Sequence, residues 1–367
     1  MRTMSLDTSD STGASAVPCF QKAIVQSQTG QPIFADHVPV PPLLLGTALV
    51  KTAAVALNPY DYKMGTLCPS PGAIIGIDFA GIVVKIMDET LTKLRIGDAV
   101  FGTVHGSNPV DGRNGAFAEY VRAPIDLLLR VPEGLAMENA VTLGLGLSTA
   151  VCALWAGGLR LDVTPDAPAK EPWPVLVYGA STSIGTIAIQ LLRLAGLFPI
   201  AICSPRNFEL VRDRGAGAVF DYAEPGAAEQ VRLCTGGRLR YALDCIADTE
   251  SVAFCHAAIG RTGGRYACLE VCPDELRTRR SVKVELVMAL EVFGEELALP
   301  GAYFRPRGGK ARDVAASLFP IFQTLLDSLK IRPHPVAIVP GGFVRIPDSI
   351  RLLKSGKVSG KKLVALI

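Results

Sequence analysis

The clearest chemical pattern in the sequence is a turn bounded by glycines, Gly179-Ala-Ser-Thr-Ser-Ile-Gly185, between a predicted strand (175–178) and a predicted helix (186–195). A helix that begins at such a turn offers unpaired N–H groups and a positive dipole end to a pyrophosphate. Three hydroxyl side chains in the turn add donors. The turn departs from G-x-G-x-x-G, because Ser181 replaces the second glycine and the loop is one residue longer. It therefore predicts a dinucleotide site, with an ordinary strand-to-helix turn as the alternative.

The end of the next predicted strand (199–203) indicates which dinucleotide binds. An NAD-preferring site carries an acidic residue there for the ribose hydroxyls, but this chain continues Ser204-Pro-Arg-Asn207. Arg206 and Arg212 can pair with a 2′-phosphate, and Ser204 and Tyr222 can donate hydrogen bonds to it. This arrangement favours NADPH over NADH. The alternative is that both arginines are solvated surface charges.

Composition limits the remaining functions. The chain has 367 residues, 49% of them hydrophobic and 19% charged, with a net charge of +3. The length and the hydrophobic content favour a packed protein of two domains and exclude a disordered one. The small net charge gives no indication of binding to nucleic acid or to an anionic membrane. The nine cysteines form no C-x-x-C pair and the four histidines no H-x-x-x-H, which disfavours a metal site.

The predicted secondary structure differs between two parts of the chain. Residues 20–145 read as short strands broken by Gly, Pro, Asn and Asp, at 48–55, 81–86, 99–101 and 116–121. A helix is predicted over 147–154, and strands then alternate with helices up to residue 269, which predicts a doubly wound parallel sheet of the α/β class. A helix (312–328) and a final strand (362–367) are expected to return to the first domain. Residues 1–20 lack the apolar block of a signal peptide, which predicts a flexible leader and a cytoplasmic protein.

Five segments in this order resemble the medium-chain dehydrogenase/reductases: Asn58-Pro-Tyr-Asp-Tyr-Lys63, Gly76-Ile-Asp-Phe-Ala-Gly81, Gly97-Asp98, Gly115-Ala-Phe-Ala-Glu-Tyr120 and Val177-Tyr-Gly-Ala180. Other segments resemble the fungal stand-alone (trans-acting) enoyl reductases of polyketide synthases. These are Cys203-Ser-Pro-Arg-Asn-Phe208, Val219-Phe-Asp-Tyr222, Arg240-Tyr-Ala-Leu-Asp-Cys-Ile246, Ala258-Ile-Gly-Arg261, Val292-Phe-Gly-Glu295 and Gly341-Gly-Phe343.

The resemblance implies a GroES-like catalytic domain (21–146, completed by 310–367) and a Rossmann-type NADPH-binding domain (147–309). It also implies that zinc is absent. Where zinc-dependent members carry Gly-His-Glu, this chain has Gly76-Ile77-Asp78, and Ile77 cannot ligate a metal. The lobe that holds structural zinc in those members corresponds to residues 107–114, which contain no cysteine.

The resemblance also implies roles for individual residues. Lys63 and Thr149 are the catalytic candidates, with a solvated lysine and a helix N-cap as the alternatives. The implied cofactor contacts are Tyr60, Asp61, Tyr62, Lys63, Thr182, Ser183, Ile184, Gly185, Ser204, Pro205, Arg206, Asn207, Arg212, Tyr222, Leu269, Glu270, Val358 and Ser359. The implied substrate contacts are Ala150, Val151, Leu154, Leu290, Val292, Phe293 and Gly294, with core packing as the alternative for Phe293.

The activity implied is transfer of a hydride from NADPH to the β-carbon of an α,β-unsaturated acyl thioester. The acyl group would be carried by the acyl carrier domain of a highly reducing polyketide synthase, or of a synthase–nonribosomal peptide synthetase hybrid, whose own reductase domain is inactive. A basic rim would meet that domain, with Arg277, Arg279, Arg280, Arg305 and Arg307 as candidates. Pro273 and the charges around it blunt a sheet edge, which predicts a monomer. The alternatives are a quinone or 2-alkenal reductase and a silent NADPH-binding partner protein.

Overall fold

A computed structural model describes residues 17–367. Residues 1–16 of the predicted leader lie outside this range, and Phe20 already begins the first strand. The strands are β1 (Phe20–Gln26), β2 (Pro32–Pro39), β3 (Thr47–Ala56), β4 (Asp78–Ile86), β5 (Ala99–Thr103), β6 (Tyr120–Pro124), β7 (Leu129–Arg130), β8 (Pro174–Tyr178), β9 (Phe198–Ile202), β10 (Ala218–Phe220), β11 (Tyr241–Asp244), β12 (Gly264–Cys268), β13 (Val282–Leu286), β14 (Val336–Val339) and β15 (Lys362–Leu366). The helices are α1 (Pro59–Leu67), α2 (Met137–Ala140), α3 (Gly144–Ala150), α4 (Ser183–Leu194), α5 (Phe208–Asp213), α6 (Ala227–Cys234), α7 (Thr249–Ala258), α8 (Lys310–Asp327) and α9 (Ile346–Lys354).

The predicted doubly wound sheet is confirmed. Six strands pair in the order β10-β9-β8-β11-β12-β13, and every pair is parallel. Numbered within this sheet, the order is 3-2-1-4-5-6, the order of a Rossmann sheet. The strand order reverses between β8 and β11, so the crevice for a ligand is expected at their carboxyl ends.

The second sheet draws on both ends of the chain. Its strands pair in the order β14-β15-β3-β4-β5-β7, and β6 pairs with the other part of β3. The final strand, β15, lies antiparallel to β3 and parallel to β14. The C-terminal segment therefore joins the sheet that the N-terminal strands build.

The predicted strand 116–121 is largely wrong, since the continuous strand begins only at Tyr120 and is preceded by a single isolated bridge between Ala118 and Ala23. Ala116, Phe117 and Ala118 are all fully buried, so the segment lacks the alternation of a half-exposed strand. The segment runs between two parts of the core, with the Phe117 N–H donating to Ile75 O and the Phe117 carbonyl accepting from Ile24 N–H.

The predicted start of the helix over 147–154 is also wrong. The helix begins at Gly144 and passes at Val151 into a π-helical turn that ends at Ala156. Its glycines are packing contacts and not helix breaks: a Cβ on Gly144 would lie 2.5 Å from Gly102 O, and one on Gly146 would lie 2.2 Å from the Ile187 side chain. Residues 137–156 are long and apolar enough to cross a membrane, but 94% of their most apolar window is buried inside the protein.

A buried polar network joins four elements around Asp78, the fully buried first residue of β4. One carboxylate oxygen accepts from the Leu145 N–H in the first turn of α3 at 2.6 Å. The other oxygen accepts from the Asn58 amide at 2.9 Å and lies 3.0 Å from Lys362 Nζ on β15. Lys362 also donates a hydrogen bond to Asn58 Oδ1. Each of the three buried polar side chains therefore has partners that offset the free-energy cost of its burial.

Replacing Lys362 by methionine tests how much this network stabilises the fold. Lys362→Met leaves the Asp78 carboxylate buried without a cation, and we expect the free energy of unfolding to fall by about 3 kcal/mol. Denaturant unfolding measures this loss. The matched control is Lys361→Met at the exposed neighbouring position, where we expect a change within about 0.5 kcal/mol. Equal losses in the two variants would contradict a special role for the buried ion pair.

Candidate active site

A large cleft lies between the two sheets at the point where the Rossmann strand order reverses. Its volume is about 1280 Å³, and both Tyr178 at the end of β8 and Cys245 directly after β11 line it. On the side of the second sheet, α1 and the segment before β15 form further walls of the cleft. One end of the cleft is polar and the other apolar, which suits a charged cofactor beside an apolar reactant.

The polar end contains the predicted glycine turn. Gly179 has a φ of +67°, in the left-handed region that glycine occupies at little cost. Thr182 caps α4, and its hydroxyl oxygen accepts from the Gly185 N–H at 3.0 Å. A Cβ on Gly185 would lie 2.6 Å from Gly179 O, so the close crossing of turn and helix requires glycine there.

Three of the four residues predicted to meet the pyrophosphate line the cleft: Thr182, Ser183 and Ile184. Gly185 does not, because it packs behind them against the turn. Ser181, which replaces the second glycine of the common pattern, accepts a hydrogen bond from the Asn207 amide at 3.0 Å. The helix N-terminus, the turn and the open cleft together fit a dinucleotide pyrophosphate.

The residues predicted for the adenosine phosphate lie beside this turn. The hydroxyls of Ser204 and Tyr222 are 3.0 Å apart, and Arg206 shares the same stretch of the cleft wall. Asn207 also donates to Ser359 Oγ at 3.1 Å, so its amide joins the glycine turn before α4, the segment after β9 and the segment before β15. Val358 and Ser359 line the cleft here.

Two of the predicted contacts in this region do not line the cleft. Pro205 begins a 3₁₀ turn behind its lining neighbours. Arg212 places its guanidinium 5.4 Å from the centre of the Phe208 ring on α5, away from the cleft wall. Sequence reasoning missed Asp248 and Glu250 at the start of α7, both of which line the cleft.

The middle of the cleft holds charged and hydroxyl groups from distant parts of the chain. Lys63 Nζ on α1 lies 2.5 Å from Glu270 Oε2, and the other Glu270 oxygen accepts a hydrogen bond from the Tyr303 hydroxyl. Burial raises the pKa of Glu270, but the hydrogen bonds from Lys63 and Tyr303 and the charge of Lys63 outweigh burial, so this pKa lies below its usual range. Glu270 is therefore a carboxylate at neutral pH.

Thr149 and Leu269 also line this middle section, as predicted. The alternative for Thr149, a helix N-cap, is wrong, since Thr149 lies well inside α3 and its hydroxyl donates to Leu145 O at 2.6 Å. The backbone of α3 therefore orients this side chain.

The segment 60–63 is the first turn of α1, and so its residues point in different directions. Tyr60, Tyr62 and Lys63 line the cleft, while Asp61 is 2% exposed and its carboxyl accepts from the Asn58 N–H at 2.7 Å. Burial raises the pKa of Asp61 to about 8. Asp61 caps the helix and does not line the cleft.

The apolar end of the cleft is lined mainly by residues that sequence reasoning did not select. Tyr60, Met64 and Leu67 follow one another at helical spacing on α1, a periodic signal that could have identified them as one face of a helix. Other apolar lining residues come from several segments: Ile77, Leu145, Val287, Met288, Ala289, Leu290 and Leu299. Leu290 is the one residue of the predicted substrate set that lines the cleft in the described structure.

The other predicted substrate residues lie elsewhere. Ala150, Val151, Leu154 and Val292 are fully buried, and they belong to the core cluster that also contains residues of α8 such as Ala315 and Phe322. Phe293 lines a second cavity of about 510 Å³. Gly294 ends the 3₁₀ turn Ala289–Phe293 with a φ of +70°.

The predicted basic rim is mostly occupied by internal contacts. Arg279 donates to the carbonyls of His256, Ile259 and Gly260 at the end of α7. The other paired members are Arg277 with Asp274 at 3.1 Å, Arg305 with Glu291 at 3.1 Å and Arg307 with Glu295. Within residues 17–367, none of the five arginines lines the cleft.

Metal-ligating groups do not gather in this cleft. Among the described residues, no three or more His, Cys, Asp and Glu side chains lie together as a metal site requires. Ile77 is 1% exposed and belongs to the apolar end.

Comparison with known proteins gives the family. Residues 45–133 match the model of the alcohol dehydrogenase GroES-like domain. The chain is 42% identical to the trans-enoyl reductase ccsC of Aspergillus clavatus over 96% of its own length and 97% of the relative. It is 44% identical to the trans-enoyl reductase TwmE of Talaromyces wortmannii over 96% of its length and 99% of the relative.

A solved structure carries the same fold. An alcohol dehydrogenase superfamily protein from Novosphingobium aromaticivorans superposes with a TM-score of 0.73 at 21% identity, over 95% of this chain and 99% of that one. The parallel sheet, the cleft at its switch point and the near-complete match to the fungal relatives lead to one assignment. The chain belongs to the trans-enoyl reductases, which are built on the medium-chain dehydrogenase/reductase fold.

Proposed function

We propose that the chain is a trans-acting, NADPH-dependent enoyl reductase of secondary metabolism. It reduces an α,β-unsaturated acyl thioester on the acyl carrier domain of a highly reducing polyketide synthase, or of a synthase–nonribosomal peptide synthetase hybrid, whose own reductase domain is inactive. The observation that carries the proposal is the cleft itself. A phosphate-binding turn and an apolar pocket lie at its two ends, with Lys63, Glu270 and Thr149 between them.

The preference for NADPH rests on the adenosine end of the cleft. Ser204, Arg206 and Tyr222 offer two hydroxyls and a guanidinium at one place, and a phosphate accepts hydrogen bonds from all three. The segment that follows β9 has no carboxylate to repel a 2′-phosphate. The family fold supplies the nicotinamide-binding site, and these side chains select the phosphorylated cofactor.

The chemistry follows from an apolar pocket beside one fixed positive charge. Reduced nicotinamide, when bound, supplies a hydride to the β-carbon of the alkene. Lys63 offers its remaining N–H groups to the thioester oxygen, on which negative charge develops as the alkene is reduced. Thr149 is held by the backbone of α3 and orients the reactants. Apolar walls at Ile77 and Leu290 exclude water from the acyl chain.

The α-carbon then takes a proton, for which a water molecule is a sufficient donor. Tyr60 lines the cleft, but burial raises the pKa of its hydroxyl, with smaller contributions from Asp61 and Cys68. A phenolate at that position is therefore unfavourable, so we do not assign Tyr60 as the proton donor.

We also propose a cytoplasmic monomer of two domains. The predicted boundary between residues 146 and 147 divides α3, so we place the end of the catalytic domain before Gly144, with 310–367 completing it. β13 forms one edge of the Rossmann sheet. The Arg305 guanidinium donates to the Leu286 carbonyl of this strand, which blunts the edge against a second copy.

The deciding experiment follows NADPH oxidation with an α,β-unsaturated acyl thioester of N-acetylcysteamine or pantetheine. NADH, simple quinones and 2-alkenals serve as comparisons. We expect reduction of the thioester with a preference for NADPH. Turnover of quinones or 2-alkenals alone would instead identify a detoxifying reductase. Cofactor binding without turnover, even of a carrier-bound thioester, would identify a silent partner protein.

Cofactor selection is tested by Arg206→Ala. Loss of the guanidinium beside Ser204 and Tyr222 removes a charged hydrogen bond, and we expect KM for NADPH to rise about 10-fold or more while KM for NADH stays unchanged. Arg212→Ala is the matched control, since Arg212 packs on Phe208 outside the cleft. An equal effect of the two substitutions on NADPH would contradict the proposed phosphate site.

The role of the positive charge is tested by Lys63→Met, which keeps most of the side-chain length. We expect kcat with the thioester to fall about 100-fold, because a donor to the developing negative charge is lost. Lys51→Met, at an exposed position of β3, is the control and should retain wild-type kcat. A Lys63→Met variant with wild-type kcat would remove Lys63 from the mechanism.

A further inference from the structure

The connection between β13 and α8 contains a loop, residues 297–305, whose two ends are joined by hydrogen bonds. Leu297 and Arg305 exchange two backbone hydrogen bonds of 2.9 and 3.1 Å. The Arg305 side chain donates to Leu286 O at 3.0 Å, to Glu291 at 3.1 Å and to Ala302 O at 2.7 Å. These contacts fix the loop to the edge of the Rossmann sheet and to its own tip.

The loop presents Leu299 and Tyr303 to the cleft. The Tyr303 ring packs against the apolar cluster that includes Met64, Ile77 and Leu145, so its position does not depend on its hydroxyl alone. That hydroxyl donates to Glu270, whose second oxygen holds Lys63. Three segments distant in sequence thus form one chain of contacts that ends at the ammonium group of Lys63.

We infer that Tyr303 is a positioning residue for the reduction: it orients the Glu270 carboxylate, which in turn holds the Lys63 ammonium group towards the reactants. The inference rests on the proposed function, because it concerns the charge that would act on the thioester. Tyr303 was selected by no sequence pattern.

The physical need for such a residue lies in the exposure of the ion pair. The Lys63 side chain is 45% exposed and the Glu270 side chain 27% exposed. Solvent screens a pair of this kind, and two long side chains lose conformational entropy to keep one geometry. A second hydrogen bond from a rigid loop removes the rotational freedom of the carboxylate, so that Lys63 has a fixed partner.

The groups that face Glu270 all act on its protonation. Lys63 from α1 and Tyr303 from the loop donate to it, and the Val271 N–H of its own segment lies 3.2 Å from Oε1. Burial raises the pKa of Glu270, while these donors and the Lys63 charge lower it further than burial raises it. Removing the Tyr303 hydroxyl therefore moves this pKa upward, and the carboxylate is lost at a higher pH.

Tyr303→Phe removes only the hydroxyl and keeps the ring in its apolar contacts. With the thioester that the wild-type chain reduces, we expect kcat to fall about 10-fold, since a misplaced charge costs transition-state stabilisation. KM for NADPH should stay near the wild-type value, and the acidic limb of the pH profile of kcat should move to higher pH. Tyr241→Phe, at the start of β11 and outside the described cleft lining, is the control and should change neither quantity.

A double-substitution cycle separates positioning from general structural damage. If Tyr303 acts through Glu270, Tyr303→Phe should lower kcat much less in a Glu270→Gln background than in the wild-type chain. Additive losses, or a Tyr303→Phe variant with the wild-type pH profile, would overturn the inference.

A measurement without turnover completes the test. In the cofactor-free protein with isotope-labelled glutamate carboxyl groups, the NMR signal of Glu270 is the one that Glu270→Gln removes. We expect its titration midpoint to move to higher pH in Tyr303→Phe, and an unchanged midpoint would overturn the inference. A wild-type chain that reduces no thioester would contradict the proposed function, while this titration would still decide whether Tyr303 acts on Glu270.

Discussion

The placement of the active-site elements depends on the buried carboxylate of Asp78. This group is fully buried, and it stays there because Leu145, Asn58 and Lys362 each supply it with a hydrogen bond or a charge. The three partners begin α3, cap α1 and begin β15. Since α1 carries Lys63 and α3 carries Thr149, one buried network fixes the relative positions of two groups at the centre of the cleft. A buried charge without these partners would cost several kcal/mol.

The fold could be predicted because its signals are local. β8 and β9 are short apolar runs, and the turn 179–185 stands between a strand and a helix, so this part of the sheet and its glycine turn followed from pattern alone. β13, which carries Lys283 and Glu285, was not predicted. The wall formed by Ser204, Arg206 and Asn207 was predictable for the same reason as the glycine turn, since these residues are neighbours in sequence and directly follow a strand. The sequence also groups Tyr222 with Ser204 without the family resemblance, and the two hydroxyls lie 3.0 Å apart although they follow different strands.

Apart from the face of α1, the apolar end of the cleft could not be predicted from helix periodicity. Every residue from Gly144 to Ala156 is buried. The segment therefore has no polar, exposed face, and its sequence pattern does not show which side chains face the cleft. A start assigned three residues late and a π-helical turn at Val151 then change which side chains face the cleft. Leu145 lines it, whereas Val151 and Leu154 pack into the core beneath α8. Leu299 and Tyr303 come from an irregular loop, where no periodicity exists.

Two of the charged networks in the described part of the chain serve different purposes, and the exposure of their side chains distinguishes them. Lys362 and Asp78 are 6% and 0% exposed, so breaking this pair leaves a buried charge and threatens the fold. Lys63 and Glu270 are partly open to solvent, where an ion pair adds little stability. The role that we propose for the exposed pair is to orient a cation. Because Glu270 fixes one side of the Lys63 ammonium group, the remaining N–H groups of Lys63 can face the cleft. The pair also joins α1 to the segment after β12, so it spans two walls of the cleft.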